Sequence, residues 1–427
     1  MWTMKKSQSD TGVLSAILQF NQGRKPGLLR LKLRKMSADP FTFFRGADHL
    51  FCRDWPELRP LDVGPDVLIC GDLHLENFGA HRTTEGDFRY DLNDFDEAVV
   101  APCSFDVVRC GTSIILASEQ WQLKPSQATG MALAYLENYR EAVLKAVQSG
   151  TVHEIVPHGG RGPIQEILGS TAIATQAQLL KAKTRQKAHG RPLIRRTDTA
   201  LDISRTRFDT IAAALEAHGQ RLGKPEAFKV HDLVFRIIGV GSLGVRRYLA
   251  LVEGAGPPDG YQLLDIKEPR PSAAAPCATD TLVGIKDDDA RRVVLSQIIL
   301  QGHVAVGLDV LKIGQRAYRI REMIPVENRS SLDQFREQPE RLRRAVERAS
   351  RLTASSQLRG ARFKPDLDRW PDLARWAESP SFEALLAAAA RFTERTNRQH
   401  AEFRAATRDA GGISAALRAF TGQNTSR

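Results

Sequence analysis

Cysteine is sparse: Cys52, Cys70, Cys103, Cys110 and Cys277 are five in 427 residues, odd in number and without a CxxC pair. That pattern argues against both a zinc site and a disulfide framework. No apolar run approaches the length that spans a bilayer; even Ala384 to Ala390 fits an ordinary helix. Near the start, Lys5 and Lys6 precede a polar Ser/Gln/Asp stretch rather than an apolar core, so no secretory leader is expected and the cytoplasm is the expected location. The glycine cluster Gly159-Gly160-Arg161-Gly162-Pro163 lacks the following lysine and hydroxyl of a Walker loop and reads as a plain loop. No internal repeat is evident.

Positive charge is abundant, with a formal net charge of +11. The most basic stretch runs from Lys181 through Lys183, Arg185, Lys187 and Arg191 to Arg195 and Arg196, with no aromatic before Phe208. Phosphate backbones attract such clusters, but single-strand binding usually interleaves aromatics for base stacking. A solvated helix and loop, a face toward an acidic substrate or nucleotide phosphates, and a nucleic-acid surface all remain open for this stretch.

The chemistry concentrates in Cys70-Gly71-Asp72-Leu73-His74-Leu75-Glu76-Asn77-Phe78-Gly79, followed by Asp91-Leu92-Asn93-Asp94-Phe95-Asp96-Glu97. Phosphoryl transfer needs a carboxylate to orient the attacking hydroxyl, and a carboxamide with a second carboxylate to hold Mg²⁺ against phosphates. Asp72, Asn77 and Asp94 supply these groups at kinase-loop spacing, with Asp94-Phe95 in the place of the metal-binding Asp-Phe pair. His74 reads as a brace inside the loop in preference to a proton shuttle, and Asp96 and Glu97 extend the acidic cluster. Val67–Cys70 reads as a buried strand entering the loop, with Phe88–Leu92 as its hairpin partner.

Farther along, Val234 to Val252 reads as strand, glycine turn and strand around Gly239, Gly241, Ser242 and Gly244. A dinucleotide fingerprint would open a helix after its last glycine. Here Val245, Tyr248, Ala250 and Val252 continue as a strand, so the hairpin tip is predicted to let backbone N–H groups approach phosphate. The next apolar strand delivers Lys267, in the position of a phosphate-pairing lysine. Strand 317–325 is expected to end this β-rich part. In ordinary kinases these pieces precede the catalytic loop; here they follow it, which a circular permutation explains because domain termini lie at the surface, often close together.

The runs Pro40 to Ala47, Gly71 to Gly79, Asn93 to Glu97, Gly239 to Gly244 and Ile266-Lys267-Glu268 resemble the bacterial domain of unknown function family 2252 over nearly the whole chain. That family is similar to the protein-kinase-like superfamily, particularly its aminoglycoside and choline phosphotransferase branch. The resemblance extends to Pro102, Asp106 and Arg109 after the metal aspartate, and implies that Asp106 braces the catalytic loop. It also includes Arg45, for which phosphate contact and a packing or salt-bridge role are both open. One departure concerns the lysine's partner. The helix expected from Asp287 to Leu300 has no glutamate; Gln297 is the candidate substitute, and Glu268 faces away from Lys267 on its strand.

The expected fold is α+β: a two-lobed, permuted kinase-like fold with a small antiparallel β-rich lobe and a larger helical lobe. Residues 1–225 carry the catalytic loop and metal site, 226–330 the nucleotide lobe, and 331–427 the helices that complete the body. Leu28 to Met36 is ambiguous between basic helix and strand, and helices are expected at 105–147, 205–221, 342–352, 382–392 and 403–420, with 422–427 frayed. The expected activity is transfer of a phosphoryl group from Mg-ATP to a hydroxyl acceptor that the sequence does not specify. Catalytic Asp72, Asn77 and Asp94 (the last two on the metal) face Gly239, Gly241, Ser242, Gly244 and Lys267 on the phosphates. The alternatives are a nucleotide-binding pseudokinase or nucleotidyl-transferase, and a basic nucleic-acid-binding protein.

Overall fold

The computed structural model describes residues 12–152, 163–164, 166, 176–186, 192–255, 260–282, 285, 288–323, 335–408 and 412–424. Most of the glycine break at 159–163, part of the basic stretch 181–196, Asp287 and the last three residues lie outside them.

Four short helices open the chain, α1 (Val13–Phe20), α2 (Pro26–Met36), α3 (Pro40–Gly46) and α4 (Asp48–Leu58). The ambiguous stretch ending at Met36 is thus helical, with Pro26 in its first turn, where a missing N–H costs nothing. Strand β1 (Asp66–Ile69) pairs antiparallel with β4 (Val99–Pro102), and β2 (Phe78–Arg82) pairs with β3 (Phe88–Leu92). The expected pairing of Val67–Cys70 with Phe88–Leu92 is corrected by this. β2 and β3 are sequence neighbours, so their hairpin closes the shorter loop at lower entropic cost and leaves β1 to β4.

The helical body is built on α5 (Ser104–Gln120), buried at every position from Ser104 to Ser118. A helix apolar or satisfied all round belongs at the centre of a bundle. Gly111 lets it approach the helix behind, since a Cβ there would stand 3.3 Å from Ala389. On it pack α6 (Pro125–Ser149) and, late in the chain, α12 (Ala384–Thr407); after a peripheral α7 (Gln176–Lys183) and the sheet region, α10 (Pro339–Gly360) and α11 (Trp370–Glu378) pack on α6, and α13 (Gly412–Asn424) on α2 and α12. Phe51 stacks on Phe392 with centroids 4.0 Å apart and meets Phe105 edge-on at 5.1 Å, so α4, α5 and α12 share one aromatic core. Leu133 on α6 is 42% exposed. α13 is helical as far as Asn424, beyond the expected fraying point.

The second layer is a six-stranded antiparallel sheet in the order β11-β12-β10-β9-β8-β7. Its strands are β7 (Ala200–Leu201), β8 (Val230–Arg236), β9 (Arg247–Val252), β10 (Gln262–Lys267), β11 (Asp309–Ile313) and β12 (Arg316–Glu322). A small hairpin, β5 (Thr184–Gln186) with β6 (Pro192–Ile194), lies beside it. Side chains alternate across a sheet. One face, Leu233, Phe235, Tyr248, Ala250, Leu264, Ile266, Tyr318 and Ile320, packs under α8 (Arg205–Arg221) through Ile211 and Leu215. The other face carries Val234, Leu249, Leu251 and Leu263 at one end and a band of charged side chains at the other. α9 (Asp289–Gln301) follows β10.

Cys52 on α4 and Cys277 in the turn after β10 form a disulfide, against the expectation from the sequence. The pair is 225 residues apart, and only the folded chain brings the two Cα atoms to 6.4 Å. No helix among the described residues is long and apolar enough to cross a membrane.

Candidate functional site

β1 delivers the Cys70–Gly79 loop to the edge of the body, and the first turn of α5 holds it there. The Asp106 carboxylate accepts the N–H groups of Cys70 at 2.7 Å and Gly71 at 2.9 Å. Burial pushes Asp106 up to about 7, against the two N–H donors that favour its charged form. Gly71 has φ +84°, and a Cβ there would lie 2.0 Å from the Glu97 carbonyl, so the loop passes where no side chain fits.

Asp72 reaches toward the cleft with its carboxylate 21% exposed and Oδ1 held by Arg109, whose Nε lies at 2.9 Å. Arg109 is fully buried beneath the rings of Phe44 and Phe51 and also meets Asp48 at 3.0 Å. Burial raises the Asp72 pKa, and the arginine pulls it back. Asn77 donates from Nδ2 to the Asp72 carbonyl at 2.5 Å, while its backbone N–H closes a turn on His74. His74 accepts the Glu76 N–H on Nδ1 at 3.1 Å, the bracing geometry. Arg45 forms an ion pair with Glu76 at 2.6 Å over Phe41, in line with its packing and salt-bridge reading.

From the sheet side, Lys267 enters almost wholly buried and forms an ion pair with Asp96, with Asp94 Oδ1 at 3.9 Å. Lys267 is therefore positioned by carboxylates of the Asp94–Asp96 segment. Gln297 is not at this lysine: it donates to Gln301, which donates on to the Leu92 carbonyl. Glu268, on the opposite side of the strand, pairs with Arg246 and Arg316. The Glu97 carboxylate accepts the Ala273 N–H, and burial pushes its pKa up to about 7.

The glycine loop between β8 and β9 needs left-handed backbone at Gly239 (φ +75°) and Gly244 (φ +92°). It is pinned from below by Arg24, which donates to the Gly241 and Leu243 carbonyls at 2.7 and 2.6 Å, and by Lys32, which reaches Gly241 at 3.3 Å.

Asn77, Asp94 and Lys267 line one cavity of about 240 Å³ beneath the sheet. Asp72, Asp94, Gly241, Ser242 and Lys267 line an adjoining one of about 50 Å³. Six of the eight candidate residues thus meet at one cleft, with Asp94 and Lys267 common to both parts; Gly239 and Gly244 shape the loop without lining either. Asp94 and the Asn77 amide are oxygen donors of the kind a Mg²⁺ ion takes. No cluster of three or more metal-ligating side chains exists among the described residues.

Sequence reasoning missed Arg236, Arg247, Arg319 and Arg321, which ring the larger cavity around Asp265. The signal was Arg319-x-Arg321 and Asp265-x-Lys267, charges at period two inside otherwise apolar strands, which put them all on one buried face. In the basic stretch, Arg196 pairs with Asp232 and Asp202, and beyond it Arg205 pairs with Asp209; each is engaged locally.

No curated protein and no solved structure matches the chain. A family model does match, over residues 24–406, from the arginine that pins the glycine loop to the end of the helix that packs against α5. With that span covered, the chain belongs to the family of uncharacterized proteins conserved in bacteria, DUF2252.

Proposed function

We propose that the protein is a phosphotransferase of permuted kinase-like fold that moves a phosphoryl group from Mg-ATP to a hydroxyl. The observation that carries this reading is the meeting of Lys267, Asp94, Asn77 and Asp72 at one cleft, although their segments lie up to 195 positions apart in sequence. In this reading the elements α1 to α6 and α10 to α13 make the helical lobe, and the sheet β7 to β12 with α8 the nucleotide lobe.

Asp94 and Asn77 would hold Mg²⁺, which supplies charge neutralisation across the phosphates. Lys267, paired with Asp96, meets the phosphate oxygens. Asp72 accepts the proton of the attacking hydroxyl; Arg109 fixes its Oδ1, so Oδ2 is the face presented to the acceptor. Because burial raises its pKa, Asp72 is a better proton acceptor than an ordinary exposed aspartate. The Gly239–Gly244 turn covers the phosphates from above.

The test is incubation with Mg²⁺, γ-labelled ATP and a bacterial extract of metabolites and proteins. Label transfer should disappear in Asp94→Asn and Lys267→Ala, and Asp72→Ala should lose transfer while retaining nucleotide binding. Release of pyrophosphate would move the assignment to nucleotidyl transfer, and binding without turnover to a pseudokinase. Failure to bind ATP at all would overturn the reading.

A further inference from the structure

Under the sheet, the inner wall of the larger cavity is built from charge where a small-molecule site is ordinarily apolar. Asp265, 3% exposed, accepts from Arg236 at 3.0 Å and from Arg247 at 2.7 and 3.0 Å, and lies 2.9 Å from Arg319. Arg321 stands beside this group and donates to the neutral Asn93 side chain at 3.1 Å. Among the described residues three guanidinium groups thus meet the Asp265 carboxylate, and a fourth, that of Arg321, stands beside them. Of the other acids of the lining, Glu322 pairs with Arg82 and Glu76 with Arg45, while Asp94 stands 3.9 Å from Lys267 and acts at longer range on Arg247 and Arg321.

A salt-bridge network that serves stability alone matches its charges, since each buried surplus charge is expensive. Here three cations, those of Arg247, Arg319 and Arg321, gather largely desolvated on one wall with the single carboxylate of Asp265 among them. Asp94 and Asn77 line the same cavity. Position sharpens the point. In the kinase strand V-A-I-K, the residue two before the lysine is alanine; in Asp265-Ile266-Lys267 it is the aspartate that gathers the arginines. An uncharged ring gains little against such a wall. A phosphate chain gains several charge-assisted bonds from planar guanidinium forks.

We propose that the Arg236/Arg247/Arg319/Arg321 wall is an oligophosphate-binding subsite, so that the cleft recognises its ligand by a chain of phosphates lying in the cavity that Asp94 and Asn77 also line. The subsite deepens the phosphotransferase reading by naming the ligand chemistry, and its binding test does not depend on turnover. Burial and the neighbouring Arg319 draw the Arg321 pKa down to about 9, the direction expected of a cation awaiting a counter-ion. The chain belongs either to a nucleoside triphosphate or to a free oligophosphate.

The experiment is titration calorimetry of the full-length protein at fixed ionic strength with Mg²⁺, using tripolyphosphate, ATP and adenosine. Tripolyphosphate should bind and compete with ATP, while adenosine should bind far more weakly. Arg321→Gln and Arg236→Gln should each weaken tripolyphosphate by tenfold or more, the effect of losing one bond to a charged group. Arg343→Gln, at an exposed arginine of α10 that pairs with Glu347, should bind it as the wild type does. ATP tenfold tighter than tripolyphosphate assigns the subsite to a nucleotide tail, and equal or weaker ATP assigns it to a free oligophosphate. Adenosine as tight as ATP, no tripolyphosphate binding to wild type, or unchanged affinity in both folded arginine variants would overturn the proposal. Should one variant melt early, the other and the wild-type ligand series decide. Failure of phosphoryl transfer looks different: tripolyphosphate still binds, and no label moves.

Discussion

Replacing Arg109 by methionine keeps most of the side-chain volume beneath Phe44 and Phe51 and removes only the charge. Two carboxylates lose their cation at once. Asp72 can turn toward the cleft and water, being 21% exposed, but Asp48 is 8% exposed, and neither of its oxygens has a hydrogen-bond donor among the described residues. Removing one partner of a buried pair costs about 3–5 kcal/mol, chiefly from the stranded charge. With an unfolding entropy of about 2.1 cal/mol/K per residue, a chain of this length loses about 1 °C of Tm per kcal/mol, so the variant should melt about 3–6 °C lower at pH 7.

Two refinements separate charge from packing. Asp48 is already held above the usual carboxylate range, chiefly by burial and against Arg109; without the arginine it rises further. A carboxyl whose folded pKa is raised stabilises the folded state below its unfolded pKa and loses that contribution as pH climbs through the folded value. The Arg109→Met deficit should therefore shrink between pH 7 and pH 4.5. In the Arg109→Met/Asp48→Asn double variant most of the loss should return. Differential scanning calorimetry across that pH range reads both effects. A deficit that is independent of pH and not relieved by Asp48→Asn would refute the stranded-charge argument and leave lost packing as the cause.

Gly71→Ala forces a Cβ to within 2.0 Å of the Glu97 carbonyl at φ +84°, so it should cost about 2–4 kcal/mol and weaken ATP binding together; denaturant melts paired with ATP titrations check it, and wild-type values in both would contradict the close approach of the two loops. Glu97, raised to about 7 from an unfolded value near ~4.3, gives the folded state a proton in between, so its contribution falls by at most about 1.4 kcal/mol per pH unit as pH rises through that window. Glu97→Gln should flatten the stability profile from about pH 4.5 to 7, and superimposable profiles would exclude this role. The Cys52–Cys277 bond closes a 225-residue separation, so Cys277→Ser should cost about 4 kcal/mol under non-reducing conditions; dithiothreitol should lower the wild-type Tm and leave the variant unmoved.

The residues that meet at the cleft were written locally, in short runs of the sequence. Asp72 and Asn77 were legible because the spacing within one loop survives any rearrangement of the chain around it, and Asp94 because its Asp-Phe pair follows that loop after a single hairpin. Lys267 was legible because an apolar strand that ends in one lysine states its own geometry, and the long helices showed in their period. What met these groups depended on the fold. The partner of Lys267 is Asp96 rather than a residue of the following helix, β1 pairs with β4 rather than with Phe88–Leu92, and Cys52 finds Cys277 across 225 residues. Each of these depends on distances between segments that local propensity does not encode. The arginine wall is the clearest instance. Arg236, Arg247, Arg319 and Arg321 come from three strands that read separately as ordinary charged positions, and only the antiparallel register, with Lys267 opposite both Arg247 and Arg319, places them on one face around Asp265. Charge of that kind acquires its meaning from neighbours, because the cost of a buried cation is set by what else is buried beside it.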